Sequence, residues 1–290
     1  MSALRGVVDA KWLQAHRHKH DVVVVDVRWS MEPPTGRERY AMGHIEGAHY
    51  IDLDTQLSAP VGEGPGRHPL PTPERFAAAL ASIGVDRHMT VVCYDDRGGA
   101  IAARLWWLLR YFGAPVEAVI LDGGLQAWTA LGEALSSTTP EIAPTEPMSL
   151  APRTWMVVDK EGVQEGITHG ALVLDARGRN RYRGEIEPID PRAGHIPGSV
   201  NAPYVGNLKS SHGPLLSLDA LRDRYQALGA LDSSGERDVI CSCGSGVTAC
   251  HDIWALHLLG RTNTKLYEGS WSDWSSDPTL PAATGPNPDG

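Results

Sequence analysis

Short runs of apolar, mostly β-branched residues alternate along the chain with longer segments of helical periodicity. The apolar runs predict buried strands at residues 22–25, 91–94, 118–121, 172–174, 239–241 and 265–267. The helical spacing predicts helices at residues 73–83, 101–112, 218–228 and 247–259. This alternation predicts an α/β fold in which mainly parallel sheets are flanked by helices. In such sheets, binding sites lie beyond the carboxyl ends of the strands.

The second half of the chain repeats sequence landmarks of the first half, in the same order and at nearly constant separation. The repeated landmarks are an Asp-x-Arg after a strand (26–28 and 175–177), a Gly-His-Ile-x-Gly turn (43–47 and 194–198) and a Gly-x₄-Trp segment (123–128 and 269–274). The Pro- and Thr-rich stretch between the copies has no periodicity. We therefore predict an N-terminal domain at 1–135, a linker at 136–155 and a C-terminal domain at 156–290. His44 and His195 recur in both halves, which indicates an architectural role.

The loop at residues 243–248 reads Cys-Gly-Ser-Gly-Val-Thr and lies between a predicted strand and a predicted helix. Backbone N–H groups and the positive end of a helix dipole stabilise a thiolate, so Cys243 is the predicted nucleophile. Glycine at 244 and 246 permits the backbone angles that converging N–H groups require. The residues predicted to hold the bound anion through their N–H groups are Gly244, Ser245, Gly246, Val247 and Thr248.

Composition narrows the possible partners and the compartment. The formal net charge of −9 argues against a nucleic acid or an anionic membrane surface as the partner. No apolar run approaches the roughly 20 residues that span a membrane. Of the four cysteines, three lie close together, which is a poor disulfide framework for 290 residues. We therefore expect a reducing, cytoplasmic location.

Three motifs together resemble the rhodanese family in its two-domain sulfurtransferase form. They are the duplicated Gly-His-Ile turn, the Cys-x-x-Gly-Val-Thr-Ala loop and the Gly-Ser-Trp-x-x-Trp segment at 269–274. The resemblance implies two tandem rhodanese-like domains, of which the C-terminal one is catalytic. Family members that use thiosulfate typically carry Cys-Arg-Lys-Gly-Val-Thr, whereas those that use 3-mercaptopyruvate typically carry the loop found here. A loop without side-chain cations is also poorly matched to an inorganic dianion.

The resemblance implies a reaction and a set of helper residues. Sulfur would pass from 3-mercaptopyruvate to Cys243 as a persulfide, with release of pyruvate, and then to thioredoxin, a small thiol or cyanide. No cofactor is implied. Ser245 would join His68 and Asp54 in a relay; alternatively, Ser245 caps a helix and His68 is a surface-loop residue. Arg181 would bind the donor carboxylate. Arg192 is the candidate for a second family arginine.

Other interpretations remain open at this stage. Thiosulfate could be the preferred donor, or the chain could be a non-catalytic binding module. A metal site at Cys241, Cys243, Cys250 and His251 would have an unusual zinc spacing. A phosphatase with a Cys-x₅-Arg loop would need arginine where Ala249 stands. A gapless alignment of the two loop helices places Asp96 opposite Cys243, which predicts that the first half lacks a nucleophile.

Overall fold

The computed structural model describes residues 6–231 and 237–290, which divide into two compact units. The described residues of the first unit fall in Met1–Ala59, Pro71–Arg153 and Leu208–Leu215. Those of the second unit fall in Pro60–Leu70, Thr154–Asn207 and Leu216–Gly290. Each unit is therefore built mainly from one half of the chain and takes one short segment from the other.

The first unit contains a five-stranded parallel sheet, a two-stranded antiparallel ribbon and five described helices. Its strands are β1 (Val7–Val8), β2 (Val22–Asp26), β3 (His44–Ile45), β4 (His49–Tyr50), β5 (Thr90–Tyr94), β6 (Glu117–Leu121) and β7 (Leu135–Ser136). Its helices are α1 (Ala10–His16), α2 (Gly36–Met42), α3 (Pro73–Ala81), α4 (Ala102–Tyr111) and α5 (Gly124–Ala130).

The second unit contains one five-stranded parallel sheet. Its strands are β8 (Val157–Val158), β9 (Leu172–Asp175), β10 (Ser199–Asn201), β11 (Val239–Ser242) and β12 (Lys265–Tyr267). Its α-helices are α6 (Lys160–Thr168), α7 (Arg179–Tyr182), α8 (Leu218–Ala227), α9 (Ala249–Leu258) and α10 (Ser270–Trp274), and 3₁₀ turns lie at Thr154–Met156 and Tyr204–Asn207.

The two parallel sheets share one strand order, β1-β6-β5-β2-β4 in the first unit and β8-β12-β11-β9-β10 in the second. The central strands are the predicted apolar runs, each extended by one residue at one end except β12, which is unchanged. They are largely buried because helices cover both faces. The predicted α/β fold with mainly parallel sheets is confirmed. The short strands β1, β4, β8 and β10 were not predicted, because two- or three-residue pairings carry no periodicity.

The repeated landmarks form the same internal bonds in both units. The Arg28 guanidinium pairs with Asp26 at 2.6 Å and donates to the Gly43 carbonyl at 2.7 Å. In the second unit, Arg177 does the same with Asp175 and Gly194, both at 2.7 Å. His44 and His195 are fully buried, and each stacks on a tyrosine and bonds to backbone carbonyls. These contacts support the architectural interpretation of both histidines.

Two segments depart from a simple division of the chain into halves. Most of the predicted linker has no helix or strand, yet it bonds to the first unit, for example from Thr145 N–H to Ala81 O at 3.2 Å. Residues 60–70, by contrast, belong to the second unit. There the Leu70 N–H donates to Glu268 Oε2 at 3.3 Å, and the Arg67 N–H donates to Ser272 Oγ at 3.1 Å. His68 therefore lies in the same unit as Cys243.

Candidate active site

Cys243 is the first residue after β11, at the carboxyl end of a central strand. It is buried, with 2% of its surface exposed. Its N–H donates to Ser270 Oγ at 3.0 Å, and its carbonyl accepts from the Trp271 N–H at 3.0 Å. The Gly244 carbonyl accepts from the Ser272 N–H at 2.8 Å. The start of the loop is therefore held in place by the first turn of α10.

The rest of the loop requires glycine at one position and leaves N–H groups available. Gly246 has φ +73°, and a Cβ there would lie 2.4 Å from the Glu268 carbonyl oxygen. Helix α9 begins directly after Thr248. Within residues 6–231 and 237–290, the N–H groups of Gly244, Ser245, Val247 and Thr248 donate no hydrogen bond. The loop can therefore offer N–H groups to an anion next to Cys243.

The first unit shows how the equivalent loop treats a negative charge. Tyr94 pairs with Asp26 as Ser242 pairs with Asp175, so the next residues, Asp95 and Cys243, correspond. The Asp95 carboxylate accepts four backbone N–H groups at 2.7–2.9 Å, from Arg97, Gly99, Ile101 and Ala102. In this unit an acidic side chain thus fills a ring of N–H groups.

This register corrects the gapless alignment, which placed Asp96 opposite Cys243. The first loop runs from Asp95 to the helix start at Ala102, and the second runs from Cys243 to Ala249. The first loop is therefore one residue longer, and an alignment of the helices without a gap shifts the loop by one position. The prediction that the first half lacks a nucleophile still stands, because Asp95 has no thiol.

His68 and Ser245 contact each other directly. The His68 Nδ1 atom lies 2.7 Å from Ser245 Oγ, and each residue is 6% exposed. His68 is therefore not a surface-loop residue, and Thr248, rather than Ser245, precedes α9. Asp54 belongs to the first unit, where its carboxylate accepts from Trp29 Nε1 at 2.9 Å. Of the predicted relay, the structure describes the His68–Ser245 pair within one unit.

Two arginines flank the loop beside Gly244. A Cβ on Gly244 would lie 3.4 Å from Arg181 Nη1 and 3.5 Å from Arg67 Nη2. Arg181 also pairs with Glu187 at 2.7 Å and with Asp190 at 2.9 Å, and Arg67 pairs with Asp190 at 2.6 Å. Arg181 is among the residues predicted from the sequence, whereas Arg67 is not; its only sequence signal is its place next to His68.

The guanidinium of Arg192 is occupied by the backbone. It donates four hydrogen bonds of 2.7–2.9 Å, to the carbonyls of Trp274, Ser275, Asp277 and Leu280. These bonds tie the end of α10 to the segment that follows it. We therefore assign Arg192 a structural role and not the expected role in substrate binding, because at least four of its five N–H donors are already used.

The Arg177 guanidinium also interacts electrostatically with Cys243 in the loop. The pKa of Arg177 is raised: burial opposes its charge, but Asp175, Glu187 and the nearby Cys243 together outweigh that cost. Its guanidinium stacks 4.7 Å from the centre of the Trp271 ring.

Burial raises the pKa of the Cys241 thiol well above its ordinary value. Cys241 is thus a poor candidate for the nucleophile, because the thiolate is the reactive form.

A buried polar cluster lies on α9 behind the loop. The Asp252 carboxylate accepts from Asn207 Nδ2 at 2.8 Å and from the Tyr225 hydroxyl at 2.9 Å. Burial raises the pKa of Asp252 to about 7, although Arg224 and these hydrogen bonds act in the opposite direction.

In the described ranges, no group of three or more His, Cys, Asp or Glu side chains could hold a metal ion. Nor is any described helix long and apolar enough to cross a membrane.

Comparison with known proteins places both halves in one family. The Rhodanese-like domain family matches residues 9–131 and 159–277. A Pseudomonas aeruginosa protein named as a probable 3-mercaptopyruvate sulfurtransferase is 43% identical over 96% of this chain and 98% of its own length. A Mycobacterium tuberculosis protein named provisionally as a thiosulfate sulfurtransferase is 36% identical over 91% of each chain. The solved structure of the 3-mercaptopyruvate sulfurtransferase SseA from Escherichia coli superposes with a TM-score of 0.79 at 32% identity, covering 92% of this chain and 98% of that one.

Proposed function

The chain belongs to the rhodanese family, and from this premise we propose that it is a sulfurtransferase that takes sulfane sulfur from 3-mercaptopyruvate on Cys243. The observation that carries the proposal is the loop itself. Cys243 lies where the first unit places an N–H-bound carboxylate, so a thiolate at this position would meet a ring of donors suited to an anion. The intact loop cysteine also argues against a non-catalytic binding module.

The proposed reaction has two displacement steps. The Cys243 thiolate attacks the sulfur of 3-mercaptopyruvate, a sulfur–sulfur bond forms and the donor carbon–sulfur bond breaks. The electron pair leaves as the enolate of pyruvate, which takes up a proton, and Cys243 is left as a persulfide. In the second step an acceptor thiolate attacks the outer sulfur and becomes the new persulfide, and the Cys243 thiolate is regenerated. Both anionic forms of Cys243 would be stabilised by the loop N–H groups.

We assign Ser245 and His68 to proton handling at the donor. Their 2.7 Å contact within one buried site supports a hydroxyl–imidazole pair that can donate to the ketone oxygen or to the enolate. We include Asp54 in this relay because the resemblance to the rhodanese family implies it, as the group that would orient His68. Arg181 is assigned to the donor carboxylate. The N–H groups of Gly244, Ser245, Val247 and Thr248 are assigned to the sulfur anion, and Gly246 is assigned to the backbone turn between them.

Thiosulfate is the second candidate donor, and one observation favours it. The loop carries no cation of its own, but Arg67 and Arg181 bring two guanidinium groups beside Gly244. The two guanidinium groups therefore give the site positive charge that could match an inorganic dianion. The ratio of kcat/KM for the two donors decides between them; a clear preference for thiosulfate would reverse our choice.

The acceptor and the compartment follow from the same chemistry. A persulfide is discharged by a thiol, and we propose thioredoxin or a small thiol in that role, with cyanide as a laboratory acceptor. Cys93, Cys241, Cys243 and Cys250 are all buried thiols outside any disulfide, which supports our proposal of a reducing, cytoplasmic location. We also retain the proposed division into domains at 1–135 and 156–290, joined by 136–155.

Replacement of the nucleophile tests the proposed function. Cys243→Ser should abolish sulfur transfer from 3-mercaptopyruvate and the mass increase of one sulfur atom on the protein. Cys93→Ser is the matched control, because Cys93 is also buried at a central strand but belongs to the first unit. Retained activity in Cys243→Ser, or equal loss in both variants, would contradict the assignment.

A further inference from the structure

Ser272 in α10 bonds two separate parts of the proposed site at once. Its N–H donates to the Gly244 carbonyl in the loop at 2.8 Å. Its hydroxyl oxygen accepts from the Arg67 N–H, in the 60–70 segment, at 3.1 Å, and the hydroxyl donates to the Gly269 carbonyl at 3.0 Å. One residue therefore holds the loop through its backbone and the segment through its side chain.

Glu268 makes a second two-sided contact, just before α10. Its carboxylate accepts from the Leu70 N–H at 3.3 Å, at the end of the segment. Its carbonyl oxygen supports the loop so closely that a Cβ on Gly246 would lie 2.4 Å from it. The segment is thus attached at Arg67 and Leu70, on either side of His68, to the same stretch of chain that supports the loop.

The segment lies too close to α10 to carry a side chain at position 66. Gly66 has φ +73°, and a Cβ there would lie 2.5 Å from the Gly269 carbonyl oxygen and 2.7 Å from Ser272 Oγ. Two residues later, His68 Nδ1 lies 2.7 Å from Ser245 Oγ. A hydrogen bond is no longer formed at about 3.6 Å, so a displacement of the segment by about 1 Å is enough to break this contact.

Only one of the two attachments has a direct counterpart in the first unit. There Asp122 takes the place of Glu268, and its carboxylate accepts from the Leu215 N–H at 2.7 Å. In the repeated Gly-x₄-Trp segment, however, Ser272 corresponds to Gln126, whose side-chain amide donates to a carbonyl of its own loop at 2.7 Å. The carboxylate bond is therefore common to both units and architectural. The bond from the Ser272 hydroxyl is a feature of the unit that contains the proposed nucleophile.

We propose that Ser272 is a positioning residue whose hydroxyl sets the 60–70 segment so that His68 reaches Ser245. This inference rests on the proposed function, in which the His68–Ser245 pair handles the proton at the donor. The hydroxyl suits this role because it is itself fixed by the Gly269 carbonyl and so presents its oxygen to the segment in one orientation. Loss of the hydroxyl would release the segment and leave the backbone bond to the loop in place.

Substitution of Ser272 tests the positioning role. Ser272→Ala keeps the N–H bond to the loop, so Cys243 stays in place while His68 is released. With 3-mercaptopyruvate, kcat should fall about 10-fold or more, because a misplacement of about 1 Å can cost up to about 100-fold. The rate of Cys243 alkylation by iodoacetamide should stay within about twofold of the wild type, because the N–H groups around the thiolate are unchanged.

A double-mutant cycle shows whether Ser272 acts through His68. In a His68→Gln background, Ser272→Ala should change kcat by less than about twofold, because the group that it positions is already absent. Gln126→Ala is the matched control, because it removes a side-chain bond to the loop at the same place of the repeat in the first unit. Its kcat should equal that of the wild type.

Nitrogen NMR of isotope-labelled histidine separates this inference from the proposed function. The His68 ring signals, assigned by their loss in His68→Gln, should shift in Ser272→Ala and stay unchanged in Gln126→Ala, because the bond at Nδ1 is altered only in the first variant. Wild-type turnover combined with unchanged His68 signals, or with an equal loss of kcat in both backgrounds, would overturn the positioning role alone. A His68 shift in a protein that transfers no sulfur would contradict the proposed function and still support the positioning role.

Discussion

Gly246→Ala tests whether the backbone of the loop has any freedom to move. Gly246 has φ +73°, a conformation that costs an alanine about 1–2 kcal/mol. The new Cβ would also lie 2.4 Å from the Glu268 carbonyl oxygen, where real contacts essentially never fall below 3.0 Å. The backbone must therefore shift by roughly 0.6 Å or more, a type of overpacking that costs about 1–3 kcal/mol. We expect a total loss of about 2–5 kcal/mol in the free energy of unfolding.

Gly170→Ala separates the two costs, because Gly170 has φ +84° and nothing within 4 Å of its Cβ position. It should lose only about 1–2 kcal/mol. Both variants are compared by urea unfolding and by kcat for sulfur transfer, at a temperature where both are folded. A shift at Glu268 displaces the start of α10, which holds Cys243, so kcat of Gly246→Ala should fall about 10–100-fold. Equal stability losses in the two variants, or unchanged kcat in Gly246→Ala, would refute the reasoning.

Two further predictions concern the buried groups around the site. Asp252 has a folded-state pKa of about 7 and an unfolded-state pKa of about 3.9. Ionisation of the buried carboxyl therefore destabilises the fold. This destabilisation is absent below about pH 4, grows as the pH rises and is complete above about pH 7. Relative to the wild type, Asp252→Asn should therefore gain stability between pH 4 and 8, by up to about 4 kcal/mol; a melting-temperature difference that stays constant with pH would contradict this. Arg192→Ala removes four bonds to backbone carbonyls and should cost about 2–5 kcal/mol by urea unfolding, with KM for 3-mercaptopyruvate within about twofold of wild type; a large increase in KM would return Arg192 to the substrate site.

Much of the fold could be predicted from local pattern. The runs that became β2, β5 and β11 are β-branched and apolar because their strands are buried on both faces. The same pattern predicted the position of Cys243, since a strand followed by a small-residue loop and a helix places its first loop residue at the edge of a parallel sheet where ligands bind. The duplicated landmarks predicted two similar units.

The roles of the arginines could not be predicted from the sequence pattern, because an arginine gives the same sequence signal whether its side chain binds substrate or backbone. Arg192 satisfies its donors on carbonyls near the end of α10, and Arg67 reaches Gly244 only because residues 60–70 pack with the second unit. The one-residue difference in loop length likewise hid the correspondence between Asp95 and Cys243. Strand register revealed it, since paired strands fix which residues are equivalent.

The sequence by itself determined the central strands, the duplication and the position of the proposed nucleophile, because these depend on local periodicity and on short motifs that are continuous in the chain. Tertiary structure alone decided which charges surround that nucleophile. Asp190 joins Arg67 to Arg181, and Ser245 bonds to His68, across more than a hundred residues of intervening chain. Such pairings form only when segments distant in the sequence pack together, so no local spacing in the sequence records them.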